Sequence, residues 1–437
     1  MIRRRLNASR QYRILRFTNR HWRTRLVFWG GALTVGLVGI VFAKLATMAD
    51  ALFHHVLIHP WIALIVTPLG FLFSVYMARA VFPGSEGSGI PQAIAARRFR
   101  DPKTREKLLS LRLTFGKILL TLFGLACGAS IGREGPTVQV GAAIMLFTAR
   151  AGGAGLERGL ILAGSAAGIA AAFNTPLAGV VFAIEEMSKA FEQRASGLVL
   201  IAVIFAGLAS LGILGNYTYF GTTSAMLHAW TGWASVLVCG VAGGFGGGAF
   251  AKIVVWGTAR FREFIAPAPM KRALIFAGAC GLTVAICGVL SDGTTYGTGY
   301  DAARHAVEGH YLPWTFAPLK FVATVASTLS GIPGGLFAPS LSVGAGLGSI
   351  VGNALGVPSV GAVVVVGMAA YFAAATQAPI TSTVIIGEMT NANGMVIPLM
   401  LASFIGYGIS QVIQRESLYH ALAHGFIQNM VQTHRVD

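Results

Sequence analysis

The chain has 437 residues, 54% of them hydrophobic and only 11% charged, with a formal net charge of +17 and a mean hydropathy of +0.67. An average soluble domain carries roughly 25% charged residues, so this balance excludes a soluble globular protein and identifies a polytopic membrane protein. The positive excess does not point to nucleic acid, because the basic residues gather beside apolar runs, where they set membrane orientation.

Nine arginines from Arg3 to Arg25 precede the first apolar run, residues 26–47. Residues 1–25 therefore read as a basic cytoplasmic N-terminal segment lying on an anionic inner leaflet. The segment is unlike a cleavable signal peptide, since its basic region is too long and no small-residue cleavage site follows a short apolar core. His54, His55 and His59 fall near one membrane interface without the spacing of a zinc site. Further apolar runs at 56–77, 197–214, 234–256 and 273–290 are, like the first, long enough to cross a hydrocarbon core of about 30 Å. The stretches 137–148, 177–184 and 336–351 are shorter and broken by Gly and Pro, and the chain holds 56 glycines. Irregular backbone at membrane depth is tolerated only where it lines a cavity or is buried in protein, so half-helices around an internal site are expected. Cys127, Cys239, Cys280 and Cys287 all lie in apolar runs without ligand spacing and are expected to be buried free thiols. No metal or cofactor is expected. Asn216-Tyr217-Thr218 matches a glycosylation sequon, a pattern frequent by chance.

The run Gly132-Arg133-Glu134-Gly135-Pro136 lies inside the apolar stretch 122–147. An ionisable side chain there costs roughly 2.5–3.5 kcal/mol on insertion scales and marks a functional site by default. Pro136 is expected at the first helical position. A helix starting within the bilayer aims its unpaired N–H groups and positive dipole end at whatever precedes it, and that should be an anion.

An internal repeat organises these elements. Pro136-Thr-Val-Gln-Val-Gly-Ala142 matches Pro339-Ser-Leu-Ser-Val-Gly-Ala345, and the same 203-residue offset pairs Lys117 with Lys320, Gly132 with Gly335, Gly164 with Gly367, Pro176 with Pro379 and Glu185 with Glu388. Gly87-Ser88-Gly89 pairs with Gly297-Thr298-Gly299 at an offset of 210. After the first of these loops come Arg97, Arg98, Arg100, Lys103, Arg105 and Lys107; after the second, up to Pro318, only Arg304. Lys189 and Arg194 follow Glu186, whereas uncharged residues 391–394 follow Glu388. Equivalent loops thus face opposite sides, which defines an inverted-topology repeat with broken helices meeting around one ion site. The basic link 260–272 separates the halves.

Gly87-Ser88-Gly89-Ile90-Pro91, Gly132-Arg133-Glu134-Gly135-Pro136 and Gly334-Gly335-Leu336-Phe337-Ala338-Pro339 resemble, in order and separation, the signature loops of the CLC chloride channels and chloride/proton antiporters. The resemblance spans residues 26–426 and includes Glu185-Glu186-Met187, Glu388-Met389-Thr390 and Tyr419; Gln92 departs from it, standing where the family commonly has Glu. It implies an all-α fold of tilted and partial helices, with repeats at 26–258 and 273–426 and a short cytoplasmic tail at 427–437. It further implies a homodimer with a pathway in each subunit, in a bacterial cell (inner) membrane, with both termini cytoplasmic and chloride and protons as transported ions. The cytoplasmic nucleotide-sensing domains of many eukaryotic members are expected to be absent.

An unpaired anion in a low-dielectric interior costs tens of kcal/mol by Born arithmetic, so several donors must share it. The residues assigned to chloride are Ser88, Gly89, Ile90, Leu336, Phe337 and Tyr419: the Ser88 and Tyr419 hydroxyls and the Leu336 and Phe337 N–H groups donate, and the 132–136 backbone frames an outer site. Neutral donors hold the ion weakly enough for it to leave. Ser88 alone would read as an ordinary N-cap, and Tyr419 alone as an interfacial tyrosine. Arg133, Glu185 and Glu388 read as structural. Glu134 is the expected gate: ionised, it competes with chloride for the anion site, and protonated, it swings out. Glu186 resembles the inner proton-transfer glutamate of exchanger members; its alternative is a solvated helix-end charge. The function implied is chloride/proton antiport, with a passive chloride channel of the same fold as the alternative. An intramembrane enzyme is disfavoured, because Glu134 has no nucleophile or metal partner at suitable spacing. A fluoride-selective member is disfavoured by Ser88 and Tyr419.

Overall fold

The computed structural model describes residues 2–56, 59–152, 157–188, 193–215, 218–223, 226–227 and 230–433. Lys189 and the sequon residues Asn216 and Tyr217 lie outside the described residues, as do the side chains of Arg194 and of the arginines from Arg3 to Arg23. The first half of the chain forms α1 (Ile2–Val56), α2 (Ala63–Ala80), α3 (Ile90–Arg98), α4 (Pro102–Leu108), α5 (Leu111–Ala126), α6 (Glu134–Gly152), α7 (Glu157–Phe173), α8 (Pro176–Phe182), a π-helical turn (Ala183–Ser188) and α9 (Gln193–Leu214). The second half forms α10 (Trp230–Ile265), α11 (Pro269–Leu290), α12 (Tyr300–Val307), α13 (Phe316–Leu329), α14 (Phe337–Ala354), α15 (Val360–Thr376), α16 (Pro379–Thr390), α17 (Val396–Ile413) and α18 (Leu418–Thr433). Extended pairing among the described residues is confined to two isolated bridges, Gly87 with Pro333 and Gly132 with Gly335.

Six helical stretches are long and apolar enough to cross a membrane among the described residues: Arg25–Val56, Pro60–Ala80, Pro102–Ala126, Trp230–Ile265, Pro269–Leu290 and Val396–Ile413. Pro102–Ala126 and Val396–Ile413 add to the runs expected from hydropathy, and the run expected at 56–77 starts later, because α1 continues to Val56 and Pro60 opens the next element. The apolar stretch 122–147 is two helices, α5 and α6, separated by residues 127–133, with Glu134 opening α6. All four cysteines are free and buried.

The repeat is visible element by element. Helices α7 and α15 are both 17 residues long, start at positions 203 apart, and end in equivalent residues forced into the left-handed region, Asn174 and Gln377, each with φ of 58°. Helices α8 and α16 both begin with proline, whose missing N–H costs nothing at a helix start. Contacts between the halves are reciprocal, the signature of a two-fold relation. Glu185 accepts from the Ile380 and Thr381 N–H groups at 3.0 and 2.6 Å, opening α16. Its counterpart Glu388 accepts from Leu177 and Ala178 at 3.1 and 2.7 Å, opening α8. Each carboxylate thus caps the other half's helix against the dipole, the structural role expected of both. The buried lysines hold equivalent places too, each within its own half: Lys117 Nζ donates to the Gly87 carbonyl at 2.7 Å, and Lys320 Nζ to those of Thr295 and Gly297 at 2.9 and 2.8 Å.

Removing one cap leaves two first-turn N–H groups without an acceptor. Glu388→Ala is expected to destabilise the protein by about 2 kcal/mol, read as a lower melting temperature in detergent, with Glu388→Gln retaining part of the loss. A melting temperature equal to that of the parent chain would show that α8 does not depend on this cap.

Candidate functional site

Three glycine-rich loops meet between the halves. Gly132 and Gly335 exchange both backbone hydrogen bonds, at 2.7 and 2.6 Å, while Gly87 accepts from the Gly334 N–H and donates to the Ile332 carbonyl, each at 3.2 Å. The close approach requires glycine: a Cβ on Gly135 would stand 2.3 Å from Ser88 Oγ, and one on Gly335 only 2.9 Å from the Gly135 nitrogen. Gly89 takes a φ of +102°, which only glycine adopts without strain, and so turns the chain into α3.

Helices α6 and α14 therefore both start at this junction. Helix α6 begins at Glu134, two residues before the expected start at Pro136. First-turn N–H groups have no intrahelical acceptor, so proline fits anywhere in that turn. The Glu134 side chain is fully buried and folds back over Gly132, whose added Cβ would lie 2.1 Å from Glu134 Oε2 and 3.3 Å from Pro339 Cδ. Its nearest donors are the backbone amides of Arg133, Glu134 and Ala338, the first-turn groups of α6 and α14, although neither carboxylate oxygen completes a well-aligned hydrogen bond. The carboxylate occupies the place where two helix dipoles favour an anion by roughly 0.3–2 kcal/mol each.

Ser88 and Tyr419 present hydroxyls that are buried and lack a well-aligned partner. The Tyr419 hydroxyl lies beside that of Ser88 and within electrostatic reach of Glu134 and Glu186. Buried donors left unmade cost about 1–3 kcal/mol each; an anion between Ser88, Tyr419 and the start of α14 would satisfy them. Leu336 precedes α14 and Phe337 is its first residue, both buried. The Phe337 ring packs at 5.8 Å from Tyr419 and 4.7 Å from Phe372, which holds the tyrosine in position. Ile90 is the buried first residue of α3. The Gly89 N–H donates to Gln92 Oε1 at 3.1 Å, while Gln92 Nε2 donates to the Glu86 carbonyl at 2.6 Å. The Gln92 departure is thus a local cap, and Gly89 contributes its backbone turn.

Two cavities approach this junction. One, of about 540 Å³, is lined by Ser88, Leu336, Gln92, Arg79, Arg262 and Phe426. The other, of about 390 Å³, is lined by Arg133, Thr47, Asp50, Tyr219, Thr298 and Asp301. Ser88 lines the first and Arg133, next to Glu134 in the chain, lines the second. Arg133 donates to the Ala43 carbonyl and lies 5.4 Å from the centre of the Tyr219 ring, so a structural cation is what the fold makes of it.

Glu186 sits in the π-turn, a rare wide turn that recurs at functional sites. Its side chain is 2% exposed, with His420 Nδ1 3.4 Å from Oε1 and Ser417 Oγ donating to the same oxygen at 3.4 Å. The solvated helix-end reading is therefore incorrect: the π-turn rotates this carboxylate inward, nearer to Tyr419 than its place at a helix end suggested. Ser417 and His420 were not legible as site residues, since Ser417 is 231 positions from Glu186 and no spacing pattern connects them.

A family model described as "Voltage gated chloride channel" matches residues 69–411. The chain belongs to this family. Membership places it among membrane transport proteins rather than enzymes, and makes it a multi-pass membrane protein. Among its relatives, the "H(+)/Cl(-) exchange transporter ClcA" of Citrobacter koseri is 30% identical over 418 residues, covering 89% of this chain and 85% of the relative. The protein of the same name from Salmonella paratyphi A is 29% identical over 424 residues, covering 90% and 86%. The fold is similar to that of a slow cyanobacterial Cl-/H+ antiporter, with TM-score 0.78, 21% identity, and coverage of 93% of this chain and 98% of that one. It is also similar to a CLC-type fluoride/proton antiporter, with TM-score 0.77, 23% identity, and coverage of 91% and 96%. In this voltage-gated chloride channel family member, the fold class is the expected one: all-α, with two inverted repeats of tilted and partial helices.

Proposed function

We propose that this protein exchanges chloride for protons across a bacterial cell membrane. The observation that carries the reading is the Glu134 carboxylate, buried where two helices begin and beside the unpartnered hydroxyls of Ser88 and Tyr419. A carboxylate on a short tether competes with a mobile anion for the same positive ends. Ionised, it blocks the path between the two cavities. Protonated, it no longer competes, and chloride displaces it. Proton and chloride then alternate at one place. Ser88, Tyr419 and the Leu336 and Phe337 amides hold the anion, with Ile90 shaping the start of α3, and no metal or cofactor takes part. The buried Glu186, on the Tyr419 side, is the inner proton-transfer group. Relatives named H(+)/Cl(-) exchange transporters support the ion pair chosen.

The working assembly is a homodimer in the lipid bilayer with a pathway in each subunit, both termini cytoplasmic, residues 1–25 along the inner leaflet, and residues 26–426 as the transmembrane domain. The test is proton movement in liposomes under a chloride gradient. Antiport predicts that chloride flowing down its gradient drives protons uphill in the opposite direction. Chloride flux without proton movement would favour the passive channel and overturn this proposal.

A further inference from the structure

A buried carboxylate that exchanges protons needs a route to water, and α18 supplies protonatable groups in the right order. His420 Nδ1 lies 3.4 Å from Glu186 Oε1 and 3.2 Å from Ser417 Oγ, and Ser417 Oγ donates to the same carboxylate oxygen at 3.4 Å. One turn along the same helix face, at the i+4 position, His424 Nδ1 is 3.2 Å from Glu416 Oε1 and His424 Nε2 is 3.2 Å from Arg98 Nη1. A guanidinium only donates, so His424 Nε2 accepts from Arg98 and its Nδ1–H points to Glu416. Side-chain exposure falls along this series from 46% at His424 to 7% at His420 and 2% at Glu186.

We propose that His420 is the relay through which Glu186 exchanges protons with water, and that His424 and Glu416 form the collecting pair at its exposed end. The proposal rests on the reading of Glu186 as the inner proton-transfer group. A proton arriving at His420 Nε2 makes the imidazolium. The Nδ1 proton then passes to Ser417 Oγ as that hydroxyl releases its own proton to Glu186 Oε1, leaving a neutral imidazole and a neutral carboxyl group. Exchange with water, in which Nε2 gives up its proton as Nδ1 takes one, restores the starting tautomer without net proton movement. Besides Glu186 and Glu416, the charged groups near the series among the described residues include Arg97, Arg98 and Arg262, with Arg79 and Glu86 lining the cavity beside α18. Arg97 and Arg98 come from α3, with Arg97 Nη1 donating to the Met187 carbonyl at 2.5 Å beside Glu186, and Arg262 from α10 lies against Gly425.

The test records proton and chloride fluxes together in liposomes holding the full chain, at several inner pH values. His420→Gln is expected to lower the proton-to-chloride flux ratio by about tenfold or more, the low end of what a positioned proton donor contributes to a transfer step being about a hundredfold. In His420→Gly, added imidazole is expected to restore part of the proton flux. A His420→Gln protein with the parental ratio at every inner pH overturns the relay. If His420→Gln carries no chloride either, the exposed variants His424→Gln and Glu416→Gln decide: a shifted inner-pH profile of proton flux supports the relay, and an unchanged profile in both overturns it. Glu186→Gln runs in parallel. Coupling lost there but kept in His420→Gln rejects the relay alone, whereas coupling kept in Glu186→Gln rejects the underlying reading and the relay with it.

Discussion

Replacing Glu134 by Gln or Ala is expected to abolish proton movement while chloride still crosses. The Glu134 carboxylate, folded over Gly132 where α6 and α14 begin, is both an anion and a proton acceptor. Arg133 beside it is committed to the Ala43 carbonyl, and Ser88 and Tyr419 offer neutral hydroxyls. A permanently neutral side chain cannot trade a proton for an anion, so coupling disappears entirely. The anion site itself survives, since the dipoles of α6 and α14 and the two hydroxyls remain. Ala should also leave a continuous path, because removing the folded-back carboxylate clears the space over Gly132, where Oε2 now stands 2.1 Å from a would-be Cβ. Chloride and pH electrodes read together on the same liposome preparation give both numbers. Full proton antiport in either variant would sink the gate assignment.

Glu186→Gln carries the second large effect and separates antiporter from channel. Glutamine keeps the shape of the side chain and can still accept from Ser417, whose hydroxyl now donates to Oε1 at 3.4 Å, so the π-turn should hold. It cannot take up a proton. Uphill proton pumping is expected to vanish, chloride transport to persist, and external pH still to act on the chloride rate through Glu134. The channel alternative forecasts no proton movement against its gradient in the parent chain and no effect of the substitution. Proton uptake into chloride-loaded vesicles, parent and variant side by side, discriminates the two. A parent chain that moves chloride without protons would overturn the antiporter reading.

Several structural features were legible before any coordinates. The 203-residue offset foretold that Glu185 and Glu388 would hold equivalent places, and the Gly-Pro breaks foretold helices beginning inside the chain's apolar stretches. What the offset could not show is that equivalent residues reach across: Glu185 caps α16 and Glu388 caps α8. The start of α6 was misplaced by two residues because proline marks the first turn of a helix and not a single position within it. That Gln92 turns back to take the Gly89 N–H was likewise not legible, because it depends on a rotamer that residue identities do not encode.

Sequence alone determined the membrane class, the internal repeat, the inversion of its halves and the family, because each rests on composition, on spacing along the chain or on charge asymmetry between equivalent loops. Only the tertiary structure decided which polar groups are left unpaired. Ser88 and Tyr419 become neighbouring donors, and Glu186 becomes a buried carboxylate against Ser417 and His420, through contacts between residues hundreds of positions apart. Hydrogen-bond satisfaction and burial are properties of three-dimensional neighbourhoods, and a linear pattern names the residues that could form such a site without saying which of them are left with a hand free for an ion or a proton.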